Sequence, residues 1–540
     1  MWPQTYHPHG ESIAITAVIA AIPLFAVLLL LGLARRPAWL ASLVGLAAAL
    51  LVAIGWYGMP AGLALSSAAY GAAFGLFPIG WIVFWAILLY RMTVESGKFE
   101  IIKDYVGGLT PDHRLQALLI AFAFGAFIEG ASGFGTPVAV AAAMLAGLGF
   151  SPFYAAGICL LANTAPVAFG SIGIPIVTLQ GTTGLPLSTL SSNIGRICAP
   201  ISLLIPAYLV AVMSGVRGLA GVWPAAAICG IVFAGSQLLI SNFVGPYLTD
   251  IIGSLCAILA LVALLRVWRP AAHFHVEGRA TLATYRRHGP RQILHAWSPY
   301  ALLVIFVLLW GLSGVKALLD SATVKVAWPG LHNLVIRTAP IVVRDSPYPA
   351  VYTFNFLTAS GSACMFAVLA SAVALRISLR GFALMFGATA RQLALPMLTI
   401  ASVLALAFVM NYSGATTSLG LAFAATGVLF PFFSPLLGWL GVFLTGSDTS
   451  ANALFGNLQV VTANTLGLNP ALMAAANSSG GVVGKMISLQ SIAVAAAATG
   501  MPASEESKLF RFTLRHSLLL VCLVGLITLF YAYVMPQWAQ

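Results

Sequence analysis

The chain has 540 residues, 60% of them hydrophobic and 7% charged, with a mean hydropathy of +0.98. Soluble domains carry roughly 25% charged residues, so this composition excludes a soluble enzyme and specifies an integral membrane protein. The net charge of +12 does not mark a nucleic-acid binder: most of the Lys and Arg fall in 91–114, 266–291, 376–391, 508–515 and the Arg35–Arg36 pair, where they read as cytoplasmic loops that orient the spans.

Taken in chain order, Met1 to Ser12 lacks the basic start of a signal peptide, so Ile13–Leu33 is expected to remain as the first span. Helix two returns over 40–57, and an apolar stretch from about 62 to 90 descends to the first basic loop. A polar segment follows, then spans near 197–214, 220–240 and 247–265, the basic loop 266–295, and a span over 297–314. An outer loop, 315–349, leads to a span over 350–375, and a second polar segment rises from Arg391. The expected fold class is an all-α polytopic membrane protein with roughly 12–14 spans, two inverted-topology repeats and discontinuous or re-entrant helices. Its parts are N-terminal helices (1–73), a first repeat (74–216), connecting helices (217–389) and a second repeat (390–536), with both termini outside. The six cysteines have no CxxC spacing and read as small buried apolar residues without disulfide or metal roles. His273-x-His275 with Glu277 has no second pair of ligands, so no metal or cofactor is expected.

The two polar segments match. The first runs Phe-Ile-Glu-Gly-Ala-Ser-Gly-Phe-Gly-Thr over 127–136, then through Pro152, Asn163-Thr164 and Gly184-Leu-Pro186. The second runs Phe-Leu-Thr-Gly-Ser-Asp-Thr over 443–449, then through Pro470, Asn477-Ser478 and Gly500-Met-Pro502. The intervals between partners differ by only a few residues. Ser96-Gly97 ends a descending helix before the first copy, and Ser413-Gly414 ends an ascending one before the second, so the copies have opposite orientation. Paired segments that interrupt their own helices at membrane depth point to the binding site of a secondary transporter.

Glu129, Asp448 and Lys485 are the charged residues of these segments. Burying such groups costs about 2.5–3.5 kcal/mol each on insertion scales, so they mark ion or substrate paths by default. Lys485 would anchor a carboxylate and Glu129 or Asp448 would carry a proton; the plainer reading makes Asp448 and Lys485 a structural ion pair. Ser132, Gly133, Thr136, Asn163, Thr164, Ser447, Thr449, Asn452, Asn477 and Ser478 complete the candidate substrate site. Taken singly, such small polar residues also serve helix packing. Arg196 either attracts anions or snorkels to the membrane surface. No nucleophile–base pair, P-loop or dinucleotide fingerprint is present, which argues against an enzyme.

These motifs resemble the bacterial lactate permease family. The resemblance rests on Phe127–Pro137, Tyr154–Gly157, Asn163–Gly170, Gly173–Pro175, Ser241–Pro246 with Asp250–Ile252, Phe443–Gly456, Gly484–Ser488 and Gln490–Ser491. It implies proton symport of L-lactate, D-lactate, glycolate and related 2-hydroxy monocarboxylates across a bacterial cytoplasmic membrane, with the lipid bilayer as the other partner. Two positions depart from the family pattern: Leu489 stands where a proline is expected, and Val483 where a threonine is. A sodium-coupled carrier and a carrier of another organic anion stay open, with an ion channel as a more distant alternative.

Overall fold

The computed structural model describes the chain apart from residues 11, 33, 35, 134, 277–285, 343, 503, 504 and 540. Among the described residues, eleven helices are long and apolar enough to cross a membrane, or up to 13 if each of two bent pairs forms one span. α1 (Ile13–Gly32) and α2 (Ala38–Gly55) form a hairpin. α3 (Ala61–Phe74) and α4 (Trp81–Glu95) are one apolar run, bent where Phe77 leaves helical geometry before Pro78. α5 (Lys98–Gly107) follows.

The first polar segment starts at α6 (His113–Gln116), which widens into a π-helical stretch over 117–124 and continues as α7 (Gly125–Ala131). α8 (Thr136–Gly147), α9 (Pro152–Ala162), α10 (Gly170–Thr183) and α11 (Leu187–Ala220) complete it. The connecting region holds α12 (Trp223–Phe243), α13 (Thr249–Val267), α14 (Pro290–Gly311), α15 (Ser313–Asp320) and α16 (Ser360–Ala374). The second polar segment follows with α17 (Leu379–Ser413), α18 (Ala415–Phe423), α19 (Phe430–Thr445), α20 (Asp448–Leu466), α21 (Pro470–Gly484), α22 (Leu489–Thr499) and α23 (Glu506–Tyr533).

The order of elements from α4 to α11 recurs from α17 to α23. Matched glycines also share left-handed backbone: Gly97 with Gly414, Gly149 with Gly467, and Gly184 with Gly500. In the second segment α19 and α21 lie against each other along glycines. A Cβ on Gly438, Gly480 or Gly484 would collide with the carbonyls of Asn477, Pro435 and Trp439. Small residues of this kind let helix backbones approach closely where lipid supplies no hydrophobic drive.

Three of the expected basic loops are largely helical. Residues 91–114 contain α5, 376–391 lie mostly in α17, and 508–515 belong to α23. Lys and Arg are good helix formers and reach the membrane surface on their own stems, so charge marks a span's end without ending the helix. The expected span 350–375 is helical only from Ser360, because β-branched and aromatic Val351–Phe354 pair as a strand.

That strand belongs to one of two small sheets. β1 (Trp2–Pro3) runs parallel to β3 (Val335–Arg337), which pairs with β4 (Ser346–Pro347); β2 (Val324–Ala327) pairs with β5 (Val351–Phe354). The N-terminus and the segment 324–354 therefore share one face of the molecule. Gln4 ties them to α17 by donating to the carbonyls of Asn411 and Tyr412, both at 2.9 Å. Of the six free cysteines, four are buried while Cys256 is half-buried and Cys522 exposed, so the expectation of buried thiols fails for these two.

Candidate functional site

Four interruptions in the helices converge. Between α7 and α8 the backbone unwinds through Gly133 (φ 61°) and Gly135 (φ 81°). Between α19 and α20 it turns through Gly446 (φ 71°) to Ser447, whose hydroxyl caps α20 by accepting the Ser450 N–H at 3.3 Å. Two helix pairs are bent: α9 against residues 167–183 by 66°, and residues 470–487 against α22 by 42°. At the first bend Ser171, Ile172 and Gly173 all adopt left-handed backbone, with φ of 47°, 59° and 73°. A β-branched residue there is strained, and such strain gathers at functional sites. At the second bend Ser488 caps α22, accepting the Ser491 N–H at 3.2 Å.

A cavity of about 270 Å³ lies where these interruptions meet. Glu129, Asp448 and Lys485 all line it, with Gly135, Ser171, Thr445, Ser447, Thr449, Ser450, Gln490 and Ser491. The rest of the lining comes from α1, α2 and α17: Val27, Leu31, Trp39, Ser42, Leu395, Pro396, Thr399, Ile400 and Val403 among them. The charged groups of the lining thus all come from the helix breaks, and α1, α2 and α17 contribute none. The starts of α8, α20 and α22 reach the cavity through Gly135, Ser447 and Gln490, presenting the positive ends of three helices to an anion.

The three charges are held differently. Glu129 is buried, its side chain lying over the Gly170 backbone so closely that a Cβ there would stand 2.6 Å from Oε1; its Oε2 has no hydrogen-bond partner among the described residues. Asp448 Oδ2 accepts hydrogen bonds from Ser478 Oγ (2.6 Å) and Asn452 Nδ2 (3.3 Å), while Oδ1 rests on Gly481 without a polar partner among the described residues. Behind it a buried chain continues: Asn477 Nδ2 donates to Asn452 Oδ1 (3.0 Å), Gln459 Nε2 to Asn477 Oδ1 (3.1 Å), and Ser434 Oγ to Gln459 Oε1 (2.8 Å). Lys485 has no carboxylate oxygen within 4.0 Å among the described residues, so the Asp448–Lys485 ion pair is not formed. The ammonium is nevertheless an electrostatic neighbour of both Glu129 and Asp448. It stands in the cavity uncommitted.

Of the residues singled out from the sequence, Glu129, Asp448, Lys485, Ser447 and Thr449 reach the cavity. Asn452, Asn477 and Ser478 stand behind it, fixing Asp448. Ser132 and Gly133 join the two breaks of the first segment, where Ser171 Oγ donates to the Ser132 carbonyl at 2.8 Å and packs on Gly133. Asn163 and Thr164 are buried beside this region, Asn163 as a polar neighbour of the Glu129 carboxyl; Thr136 begins α8 outside the lining. Gln490, Ser491, Ser450, Ser171 and Thr445 were not singled out as site residues. Their signal was position, since each flanks a helix break in one of the matched segments. Arg196 is engaged with Asn242 Oδ1 (3.0 Å) and the Trp538 carbonyl, away from the cavity. His275 packs edge-on to His113, with ring centroids 5.0 Å apart, and Glu277 lies outside the described residues.

Comparison with known proteins agrees over the whole length. The chain is 46% identical to an L-lactate permease of Bacillus subtilis, covering 98% of each chain. It is 45% identical to the glycolate permease GlcA of Escherichia coli, covering 99% of this chain and 98% of that one. Among solved structures it is similar to Neisseria gonorrhoeae MtrF, with a TM-score of 0.47 and 13% identity over 87% of this chain and 84% of that one. The family model for L-lactate permease matches residues 16–535. With matched broken helices around an internal cavity and this match over nearly all its length, the chain is a multi-pass membrane transporter rather than an enzyme and belongs to the L-lactate permease family.

Proposed function

We propose that the protein is a secondary active transporter that carries L-lactate and related 2-hydroxy monocarboxylates, glycolate and D-lactate included, by proton symport across a bacterial cytoplasmic membrane. The observation that carries this reading is a cavity in which Lys485 stands near Glu129 and Asp448 but bonds to neither. Without substrate, the buried ammonium is balanced by a carboxylate among these neighbours. A substrate carboxylate that takes over Lys485 leaves that protein carboxylate as uncompensated charge in a low-dielectric interior, at a cost of several kcal/mol. A proton removes the cost. Binding of the anion and uptake of the proton thus become one event, and neither ion crosses alone.

The substrate hydroxyl would be met by Ser171, Ser447, Thr449 and Gln490, with the helix starts at 136, 448 and 489 supporting the carboxylate. Two repeats of opposite orientation, about 74–216 and 390–536, would supply the inward- and outward-facing states. Both termini would then lie on the outer side. A monocarboxylate with one proton is electroneutral, so voltage contributes nothing and a one-unit pH gradient supplies about 1.4 kcal/mol, or tenfold accumulation.

Uptake of radiolabelled L-lactate into proteoliposomes, with pH, voltage and sodium gradients imposed separately, tests this. Accumulation driven by external acid alone is expected. Uptake that needs sodium, helped by the open Oδ1 of Asp448, would replace proton coupling with sodium coupling. Uptake that follows voltage would end the electroneutral mechanism.

A further inference from the structure

A third acid lies buried against α7, outside the cavity. Asp250, in the first turn of α13, is 1% exposed, and both its carboxyl oxygens are without a hydrogen-bond partner among the described residues. Its position follows from the glycines opposite. A Cβ on Gly130, the residue after Glu129, would stand 2.8 Å from Asp250 Cβ; one on Gly173 would stand 2.9 Å from Pro246 Cβ. The turn 246–250 is therefore wedged against both helix breaks of the first polar segment.

Asp250 does not line the cavity, whereas Glu129 does, so α7 separates Asp250 from the substrate space. The elements around the start of α13 bring it few titratable groups. Glu129 of α7 and the Cys198 thiol of α11 are its electrostatic neighbours; α12 carries only Cys229, and α10 and residues 117–124 carry none. No fixed cation stands beside it among the described residues. A structural carboxylate this deep would be expected to be bonded, because an unpaired buried charge is expensive. The start of α13 does offer Asp250 backbone dipoles that favour an anion, so both its charged and its protonated forms have support.

We infer that Asp250 is a second proton-carrying carboxyl that exchanges the coupled proton with Glu129 on the side of α7 away from the substrate. In the step, the O–H bond of the Glu129 carboxyl breaks as an O–H bond forms on the Asp250 carboxylate, directly or through one water. One proton moves and no electrons are transferred. Glu129 then takes its proton from the cavity and gives it up behind the substrate, so the proton's exit does not need the substrate's exit path. This rests on the proton-symport reading.

The test compares the full-length wild type with Asp250→Asn and Asp250→Glu in proteoliposomes, measuring acid-driven L-lactate accumulation, L-lactate exchange at equal pH on both sides, and thermal unfolding. Exchange needs the substrate site but no net release of the proton. Asp250→Asn is expected to keep exchange and unfold like the wild type while its acid-driven accumulation falls about tenfold, the whole of what a one-unit gradient supports; Asp250→Glu should recover it. Wild-type-like accumulation by Asp250→Asn would overturn the inference and leave proton symport standing. Joint loss of exchange and accumulation would make Asp250 a packing residue, and also overturn it. Wild-type uptake indifferent to acid would remove the symport reading itself, a failure visible before any variant is measured.

Discussion

An ammonium kept close to two carboxyls but bonded to neither holds free capacity for an incoming anion, and Lys485 is such a group. Replacing it with methionine keeps most of the side chain's volume and removes the charge. Charged hydrogen bonds contribute about 1.5–3 kcal/mol, so Lys485→Met is expected to weaken L-lactate binding by about 10- to 150-fold, measured as the half-saturation of exchange. An unchanged half-saturation would exclude Lys485 from carboxylate recognition. At this scale the charges were the legible part. A charge inside an apolar span is conspicuous in any sequence, and Glu129, Asp448 and Lys485 all reach the cavity. The hydroxyls and amides were harder to sort. Asn452, Asn477 and Ser478 have the same chemistry as Ser447 and Thr449, yet they buttress Asp448 while the other two line the cavity. Asp250 escaped because it follows a Gly-Pro turn at a helix start, where an acid ordinarily faces solvent; here that turn packs against Gly130 and is buried.

Among the elements, α22 is instructive because it starts without the proline that the family resemblance suggested. Ser488 has extended backbone (φ −62°, ψ 135°) and caps the helix with its hydroxyl, so the bend forms from a polar cap. Leu489 is the first helical residue, where the missing N–H of proline costs nothing, and Ser488 already has the conformation that precedes a proline. Leu489→Pro is therefore expected to fold, transport, and change unfolding free energy by no more than about 1 kcal/mol, read by thermal denaturation in detergent. Loss of the folded protein would mean that the 488–489 bend depends on flexibility rather than on the cap. Spans and breaks were legible from apolar runs and paired glycines. The ends of helices were not, since Lys and Arg continue a helix as readily as they leave it; α5, α17 and α23 all run through stretches that charge alone marks as loops.

Across the whole molecule, the recurrence of element order and of left-handed glycines at 97 and 414, 149 and 467, and 184 and 500 accompanies the repeated motifs. The opposite orientation of the two copies is open to a direct check. Pro186 and Pro502 are matched and both exposed. A cysteine at Pro186 should react with a membrane-impermeant maleimide from outside cells, and one at Pro502 only after the membrane is opened. Labelling of both from the same side would refute inversion. The pairing of β1 with β3 adds a constraint of its own, holding the N-terminus and residues 335–337 on one face.

The cavity's uncharged lining has a practical consequence. Leu395, Ile400 and Val403 on α17 and Val27 and Leu31 on α1 line the same cavity as the charged groups. A 2-hydroxy acid with a short tail would leave them untouched. With a longer hydrocarbon tail, the same head group would lay apolar surface along α1 and α17 at about 25 cal/mol per Å², holding these helices and the charged groups at once. Such a molecule would be an inhibitor rather than a cargo, and its tail length would be the design variable.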